Sequence, residues 1–477
     1  MLTYKNVAFF LGPFLFILLL HAPFTLFNPL AHKVIAGAVW MIVWWLTEAV
    51  AIPVTALIPL TVFPLVGIDT IDSIAANYAH PIVWLFFGGF IIALALEKVN
   101  LHKRLALRII RLTGTRADGV VFGFMTATAL LSMWISNTAS TVVMLPIAVS
   151  VIGLLIDDRD GFTPNDRNFA LSIMLGIAFA ANIGGTATLI GTPPNLVAAA
   201  FLQETYQIQI GFLQWMLLGI PFSCIMLLIC YTVLVKWFYP NRLGELRTSG
   251  DLLEAELRKL GVMSKGEKIV SGIFLLTAGA WILRGSFNDW FPGLNLTDAG
   301  ISLVGALLML TVPLSLREGK FTLEWDETRN LPWGILLLFG GGLALAGSLK
   351  NAGLINLIGG AIAGYDGLSV FIITLLLITI MLFMTELMSN VALTAVFVPV
   401  VAGIAEGLEV PLLQMIVPVT LAASCAFMLP MATPPNAIVF ASGHIKVHQM
   451  ARAGVVLNIL SIALLTAMTY FLFPLIF

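Results

Sequence analysis

Eleven apolar stretches follow one another along the chain, near residues 6–28, 34–50, 52–67, 81–98, 168–187, 211–238, 268–285, 298–315, 331–349, 411–428 and 450–475. Each is close to the roughly 20 residues that a helix needs to cross a bilayer. Two further apolar segments, 118–156 and 367–405, are about twice that length, and each is broken near its middle by a polar Ser-Asn pair. A segment that enters the membrane, turns at mid-depth and leaves on the same side reads this way. Irregular backbone survives at that depth only where it lines a cavity inside the protein. Of the 477 residues, 59% are hydrophobic and 10% are charged, against roughly a quarter charged in soluble domains, so lipid must solvate much of the surface. The expected fold is an all-α polytopic membrane protein with 11 transmembrane helices and two re-entrant helical hairpins. Phe9 to Leu20, following Lys5, reads as a retained first helix rather than a signal peptide, because no small-x-small cleavage site closes it.

Charge supports that count. With a cytoplasmic N-terminus, only Lys33, Arg284 and Lys350 fall outside, and the other 21 of the 24 Lys and Arg fall inside or at inner helix ends. This is the positive-inside pattern, and one missed span would invert everything after it. The C-terminus then lies outside. Residues 100–116 alternate bases with Leu and Ile and read as an amphipathic helix on the inner leaflet. Residues 241–267 read as a cytoplasmic linker without its own core. The net charge of −1 gives no field for nucleic acid. Cys224, Cys230 and Cys425 sit in apolar runs and read as small buried hydrophobes. His444 and His448 have metal-ligand spacing if helical, but an inner-face surface position suits them better.

The halves of the chain resemble each other. Phe87-Gly88-Gly89 recurs as Phe339-Gly340-Gly341, and Ser136-Asn137 as Ser389-Asn390. Around that pair Ser132, Ala139, Thr141 and Pro146 correspond to Thr385, Ala392, Thr394 and Pro399. Gly191-Thr192-Pro193-Pro194-Asn195 then recurs as Ala432-Thr433-Pro434-Pro435-Asn436. The topology makes these repeats inverted, a design of many secondary transporters.

The motifs carry specific chemistry. Ser136-Asn137-Thr138 lies in 37 uncharged residues, Val120 to Ile156, where polar groups are costly and mark function by default. A helix break offers carbonyls and Ser/Asn oxygens to a small hard cation, and N–H groups and hydroxyls to a carboxylate. In each Thr-Pro-Pro-Asn loop the prolines break the helix, which frees the carbonyl of Gly191 or Ala432 and restarts a helix near Asn195 or Asn436.

On these motifs, and on the stretch from Trp44 to Leu60 (WWLTEAVAIPVTALIPL), the chain resembles the divalent anion:sodium symporters over nearly its whole length. The resemblance implies a homodimeric, elevator-type transporter of the inner (plasma) membrane that takes up dianionic carboxylates, C4-dicarboxylates such as succinate, malate and fumarate above all, with Na+. It implies a scaffold of residues 1–117 and 268–366. It also implies a transport part of residues 118–240 and 367–477, with 241–267 as the linker. The first sodium site would use Ser132, Ser136, Asn137 and the Gly191 carbonyl. A second would use Thr385, Asn390 and the carbonyls of Met388 and Ala432. The dicarboxylate would meet Asn137, Thr138, Asn390, Val391 and Pro434. Val391 departs from the family's Thr and cannot supply its hydroxyl.

No Lys, Arg or His occurs in 120–156 or 367–405, where a sodium-independent exchanger would be expected to carry a fixed cation, so sodium coupling is the expectation. A sodium-independent dicarboxylate exchanger and a citrate or sulfate carrier of the same fold are the alternatives. Glu48, Glu97 and Glu386 are the candidates for proton coupling. Glu48 and Glu97 fall at inner helix ends, and Glu386 is expected to shape the second hairpin tip. No nucleophile–base pair or metal site suggests an enzyme.

Overall fold

The structure, a computed structural model, describes residues 4–22, 28–156, 163–291, 293–363 and 369–476. Residues 23–27 of the first expected span, 157–162 of the polar loop and 367–368 of the second expected hairpin lie outside the described residues.

Among the described residues eight helices are long and apolar enough to cross a bilayer: Pro29–Thr47, Ile71–Lys98, Pro164–Gly185, Phe212–Phe238, Lys265–Trp290, Trp333–Asn351, Asn390–Gly407 and Val447–Phe471. The remaining apolar stretches form shorter helices, and several stop at identifiable places. The 52–67 stretch divides into Ile52–Thr55 and Ile58–Leu65, each with a proline in its first turn. The helices Pro164–Gly185 and Leu412–Ala422 both end several residues short of a Thr-Pro-Pro-Asn motif, and new helices, Pro193–Tyr206 and Pro434–Ala441, begin at its prolines.

Each double-length segment is a pair of helices broken at Ser-Asn. The first gives Ala117–Ser132 and Asn137–Ile156, the second Val370–Thr385 and Asn390–Gly407. Serine starts the second helix of each pair. Ser136 Oγ accepts from Ala139 N at 3.1 Å and Ser389 Oγ from Ala392 N at 3.5 Å, which satisfies an orphan donor of the first turn. The two helices of each pair pack on one another. Pro164–Gly185 runs against both helices of the first pair and against Pro434–Ala441, and Leu412–Ala422 runs against both helices of the second pair and against Pro193–Tyr206. The two repeats therefore interlock at their broken helices. Residues 169–185 of Pro164–Gly185 are all buried and form the centre of this half, whereas most of Lys265–Trp290 is not buried and the helix is peripheral.

Three details differ from the sequence expectations. Residues 241–267 are not a free linker, because they contain the helix Arg247–Lys259, which docks on Leu101–Leu112 with Leu253 buried. Lys103 Nζ meets Glu256 Oε2 at 3.0 Å, and the Lys259 and Lys103 ammoniums hold the Glu256 carboxyl below its ordinary range. Arg104 is buried rather than spread on lipid. Its guanidinium donates to Gly261 O (2.9 Å), Leu260 O (3.1 Å) and Glu267 Oε2 (3.2 Å), tying Leu101–Leu112 to the start of Lys265–Trp290. Cys224 is exposed on its helix, while Cys230 and Cys425 are buried as expected. His444 precedes the helix Val447–Phe471, so it does not share a helical face with His448.

At the other end of the molecule, His80 Nε2 lies 3.3 Å from Glu204 Oε2. Lys350 Nζ donates to Thr205 O and sits 5.4 Å from the Tyr206 ring centroid. These contacts join the ends of Pro81–Lys98 and Trp333–Asn351 to the end of Pro193–Tyr206.

Candidate functional site

The first helix break gathers oxygens from three elements. Ser132, one turn before Asn137, has its hydroxyl 2.7 Å from Asn137 Oδ1 and 2.7 Å from Ala181 O. The same end of the Asn137 amide is 3.3 Å from Ala181 O and 3.3 Å from Gly191 O. With its nitrogen turned inward, the amide donates to all three neighbours. With its oxygen turned inward, it completes a group of four oxygens, the donor set suited to a small hard cation. Gly185 permits the approach, since a Cβ there would lie 2.4 Å from Asn137 Oδ1.

The second repeat reproduces the contacts of the hydroxyl. Thr385 Oγ1 lies 2.6 Å from Asn390 Oδ1 and 2.8 Å from Ala423 O. Behind each site the loop asparagine ties its own loop together. Asn195 Nδ2 donates to Gly185 O and Thr188 O at 3.3 and 2.8 Å, and Asn436 Nδ2 donates to Ala426 O and Leu429 O, both at 3.1 Å. The acceptors stand 10 and 7 residues upstream in both cases. The repeat is thus carried down to single hydrogen bonds.

The two loops are braced differently. Glu386, 3% exposed, accepts from Phe427 N (2.7 Å), Met428 N (2.9 Å), Leu429 N (3.1 Å) and Asn458 Nδ2 (2.8 Å). Four donors converge on it, so it shapes the loop after Leu412–Ala422 rather than the hairpin tip that the sequence suggested. Met133 holds the matching place in the first repeat, where Thr188 Oγ1 donates to Met133 O at 2.6 Å.

Between the two breaks lies a cavity of about 1010 Å3. Ser136, Asn137, Thr138, Gly191, Met388, Asn390, Val391, Ala432 and Pro434 all line it. Ser132 and Thr385 are fully buried beside Asn137 and Asn390. Every residue expected at the site is therefore brought to one place. The cavity extends to Glu48, Glu97 and Asn330, between Pro81–Lys98 and the broken helices. Among the described residues no Lys, Arg or His lines it. Four helices begin at its wall, Asn137–Ile156, Asn390–Gly407, Pro193–Tyr206 and Pro434–Ala441, and helix starts favour negative charge. A dianion placed here would meet N–H groups and hydroxyls, with its charge balanced by cations in the adjoining oxygen groups.

Sequence reasoning missed the carbonyls of Ala181 and Ala423, the close approach at Gly185, and Asn182. Carbonyls leave no mark on a sequence. Asn182 does, as a polar residue inside the apolar run 168–187. Its Nδ2 crosses between the repeats, 3.3 Å from Ala426 O, 3.0 Å from Thr433 Oγ1 and 3.4 Å from Asn436 Oδ1.

The family model described as the sodium:sulfate symporter transmembrane region matches residues 4–476. A protein of Staphylococcus saprophyticus subsp. saprophyticus, named sodium-dependent dicarboxylate transporter SdcS, is 37% identical over 477 aligned residues, covering 98% of this chain and 91% of its own. The protein of the same name from Staphylococcus aureus strain MRSA252 is 36% identical, covering 99% of this chain and 92% of its own. Two solved transporters share the fold at 13% identity. The Alcanivorax borkumensis YdaH transporter has a TM-score of 0.53 over 84% of this chain and 88% of its own. Neisseria gonorrhoeae MtrF has a TM-score of 0.54 over 83% and 82%.

Proposed function

Since the chain belongs to the sodium:sulfate symporter transmembrane family, we propose that it takes up dianionic carboxylates, most readily C4-dicarboxylates such as succinate, malate and fumarate, together with Na+. The observation that carries this reading is the mirrored pair of oxygen groups, Ser132–Asn137–Ala181–Gly191 and Thr385–Asn390–Ala423, facing one cavity that no basic side chain lines. A dianion in such a cavity needs mobile cations. The names of the staphylococcal relatives, sodium-dependent dicarboxylate transporters, support the same pairing of substrates.

In this reading Na+ binds first at Ser132, Ser136, Asn137 and the Gly191 carbonyl, and at Thr385, Asn390 and the carbonyls of Met388 and Ala432. The dicarboxylate then spans Asn137, Thr138, Asn390, Val391 and Pro434. Val391 contributes contact but no hydroxyl, so one carboxylate is held by fewer hydrogen bonds than the other. Entry of a dianion against a negative interior costs about 2.3 kcal/mol per charge per 100 mV. Two sodium ions cancel that cost, and a third lets the potential drive uptake.

The protein is a multi-pass membrane protein. We place it in the plasma membrane with the N-terminus inside and the C-terminus outside, with residues 118–156 and 367–405 as re-entrant hairpins and a homodimer as the working unit. The cavity extends to Glu48 and Glu97, on the inner side of that topology, which makes this an inward-facing arrangement. An elevator movement of the interlocked repeats would part the outer contacts His80–Glu204 and Lys350–Thr205 and carry the cavity outward.

The test is uptake of labelled succinate by purified protein in proteoliposomes. An inward sodium gradient should drive accumulation, and replacement of sodium by choline should abolish it. Uptake unchanged in choline would favour the exchanger reading.

A further inference from the structure

The two halves of the site are joined by one side chain. Asn182 lies in the last turn of Pro164–Gly185, directly after Ala181, whose carbonyl belongs to the first oxygen group. Its Nδ2 leaves that repeat and donates to Thr433 Oγ1 at 3.0 Å, Ala426 O at 3.3 Å and Asn436 Oδ1 at 3.4 Å. Thr433 directly follows Ala432, whose carbonyl the reading above gives to the second ion, and precedes Pro434, given to the dicarboxylate. Thr433 is also the N-cap of Pro434–Ala441, accepting from Asn436 N. One amide thus ties the neighbour of a first-group oxygen to the neighbour of a second-group oxygen. Among the described residues two other side-chain hydrogen bonds cross between 118–240 and 367–477, from Tyr239 Oη to Gln449 O and from Ser461 Oγ to Met226 Sδ, and neither touches a Thr-Pro-Pro-Asn loop.

This tie adds little to the fold. Asn182 is buried, and its Oδ1 has no hydrogen-bond partner among the described residues, a cost that offsets what the N–H2 group contributes. Without the amide, Ala426 O would keep its bond from Asn436 Nδ2 and Thr433 Oγ1 its bond from Asn436 N. What the amide fixes is position. An ion that draws Ala181 O and the Asn137 side chain together holds the last turn of Pro164–Gly185, and with it the point from which Nδ2 grips the second loop. That ion therefore meets part of the ordering cost of the second group, and by linkage an ion in the second group favours the first by the same factor. The first loop receives no matching grip, since Thr192 makes no side-chain cap bond and Asn195 binds oxygens of its own repeat, so the coupling runs through a single amide. We propose that Asn182 is the positioning residue that makes the two oxygen groups fill together. The inference rests on the sodium-coupled reading above.

The experiment follows backbone hydrogen exchange of the purified protein by mass spectrometry as Na+ replaces choline, alongside the sodium dependence of succinate uptake in proteoliposomes. In the unaltered protein the loops 185–195 and 426–436 should become protected over the same range of Na+ concentration, and uptake should rise sigmoidally with Na+. Asn182→Leu, close in volume, should fold and still show protection of 185–195, but protection of 426–436 should need at least about threefold more Na+, and the sigmoid should flatten. Asn182→Ala, the gentler change inside a helix, should give the same split. A side chain that only braced the fold would lower thermal stability without separating the two midpoints, so coincident midpoints in both variants would overturn the proposal. Loss of folding in both variants would overturn it as well, by making the amide a structural brace. Protection of neither loop in the unaltered protein, with uptake indifferent to sodium, would instead remove the reading of function on which the inference depends.

Discussion

Replacing Glu386 by glutamine separates two roles that a buried carboxylate can play in a transporter. In the structure the side chain is an acceptor only, with Oε1 taking Phe427 N, Met428 N and Asn458 Nδ2, and Oε2 taking Leu429 N. Glutamine keeps one oxygen, which can hold the first three. Its amide N–H2 then faces the Leu429 N–H. One charge-assisted bond is lost and one buried donor is left unmet, each about 1–3 kcal/mol by general experience. Because both describe the same broken contact, the expected cost is that of one such contact, about 1–3 kcal/mol. Thermal unfolding of the purified protein in detergent, followed by tryptophan fluorescence, should show Glu386→Gln clearly destabilised. Succinate uptake at permissive temperature should keep its wild-type pH profile. A variant as stable as the parent whose uptake no longer depends on pH would refute the structural role and make Glu386 a proton carrier.

Gly185→Ala forces a Cβ against the Asn137 amide, and should raise the sodium concentration for half-maximal uptake at least several-fold, with the fold intact by circular dichroism. Val391→Thr restores a hydroxyl at the second tip. It should tighten succinate binding by about 0.5–1.5 kcal/mol, the usual value of one hydrogen bond, read as a lower KM for uptake; an unchanged KM would show that Val391 does not face the carboxylate. Arg104→Gln breaks a buried ion pair and leaves Glu267 uncompensated, at a cost of about 3–5 kcal/mol. Limited proteolysis should then cut within 247–264, where the parent resists.

Much of this was legible in the sequence because the bilayer leaves few solutions. Apolar length gave most of the helices, and the polar breaks at Ser136-Asn137 and Ser389-Asn390 marked where they stop. The repeat in the Thr-Pro-Pro-Asn motifs placed the two halves of the site opposite each other before any coordinate did. Helix lengths were less legible, since a stretch such as 411–428 is apolar throughout yet its helix ends at Ala422. That end depends on Glu386, which gathers the following N–H groups from another helix. Likewise the burial of Arg104 depends on Glu267 and Leu260, more than 150 residues away, and no local pattern announces such a partner.

The most direct measurement is the affinity of the purified protein for succinate, by calorimetric titration, in sodium and in choline, for the parent and for Asn137→Ala and Asn390→Ala. The parent should bind succinate at least tenfold more tightly in sodium, and either substitution should erase most of that difference. Equal affinity in the two salts for the parent, or a sodium effect that survives in both variants, would show that the mirrored oxygen groups do not hold the ions that balance the dianion.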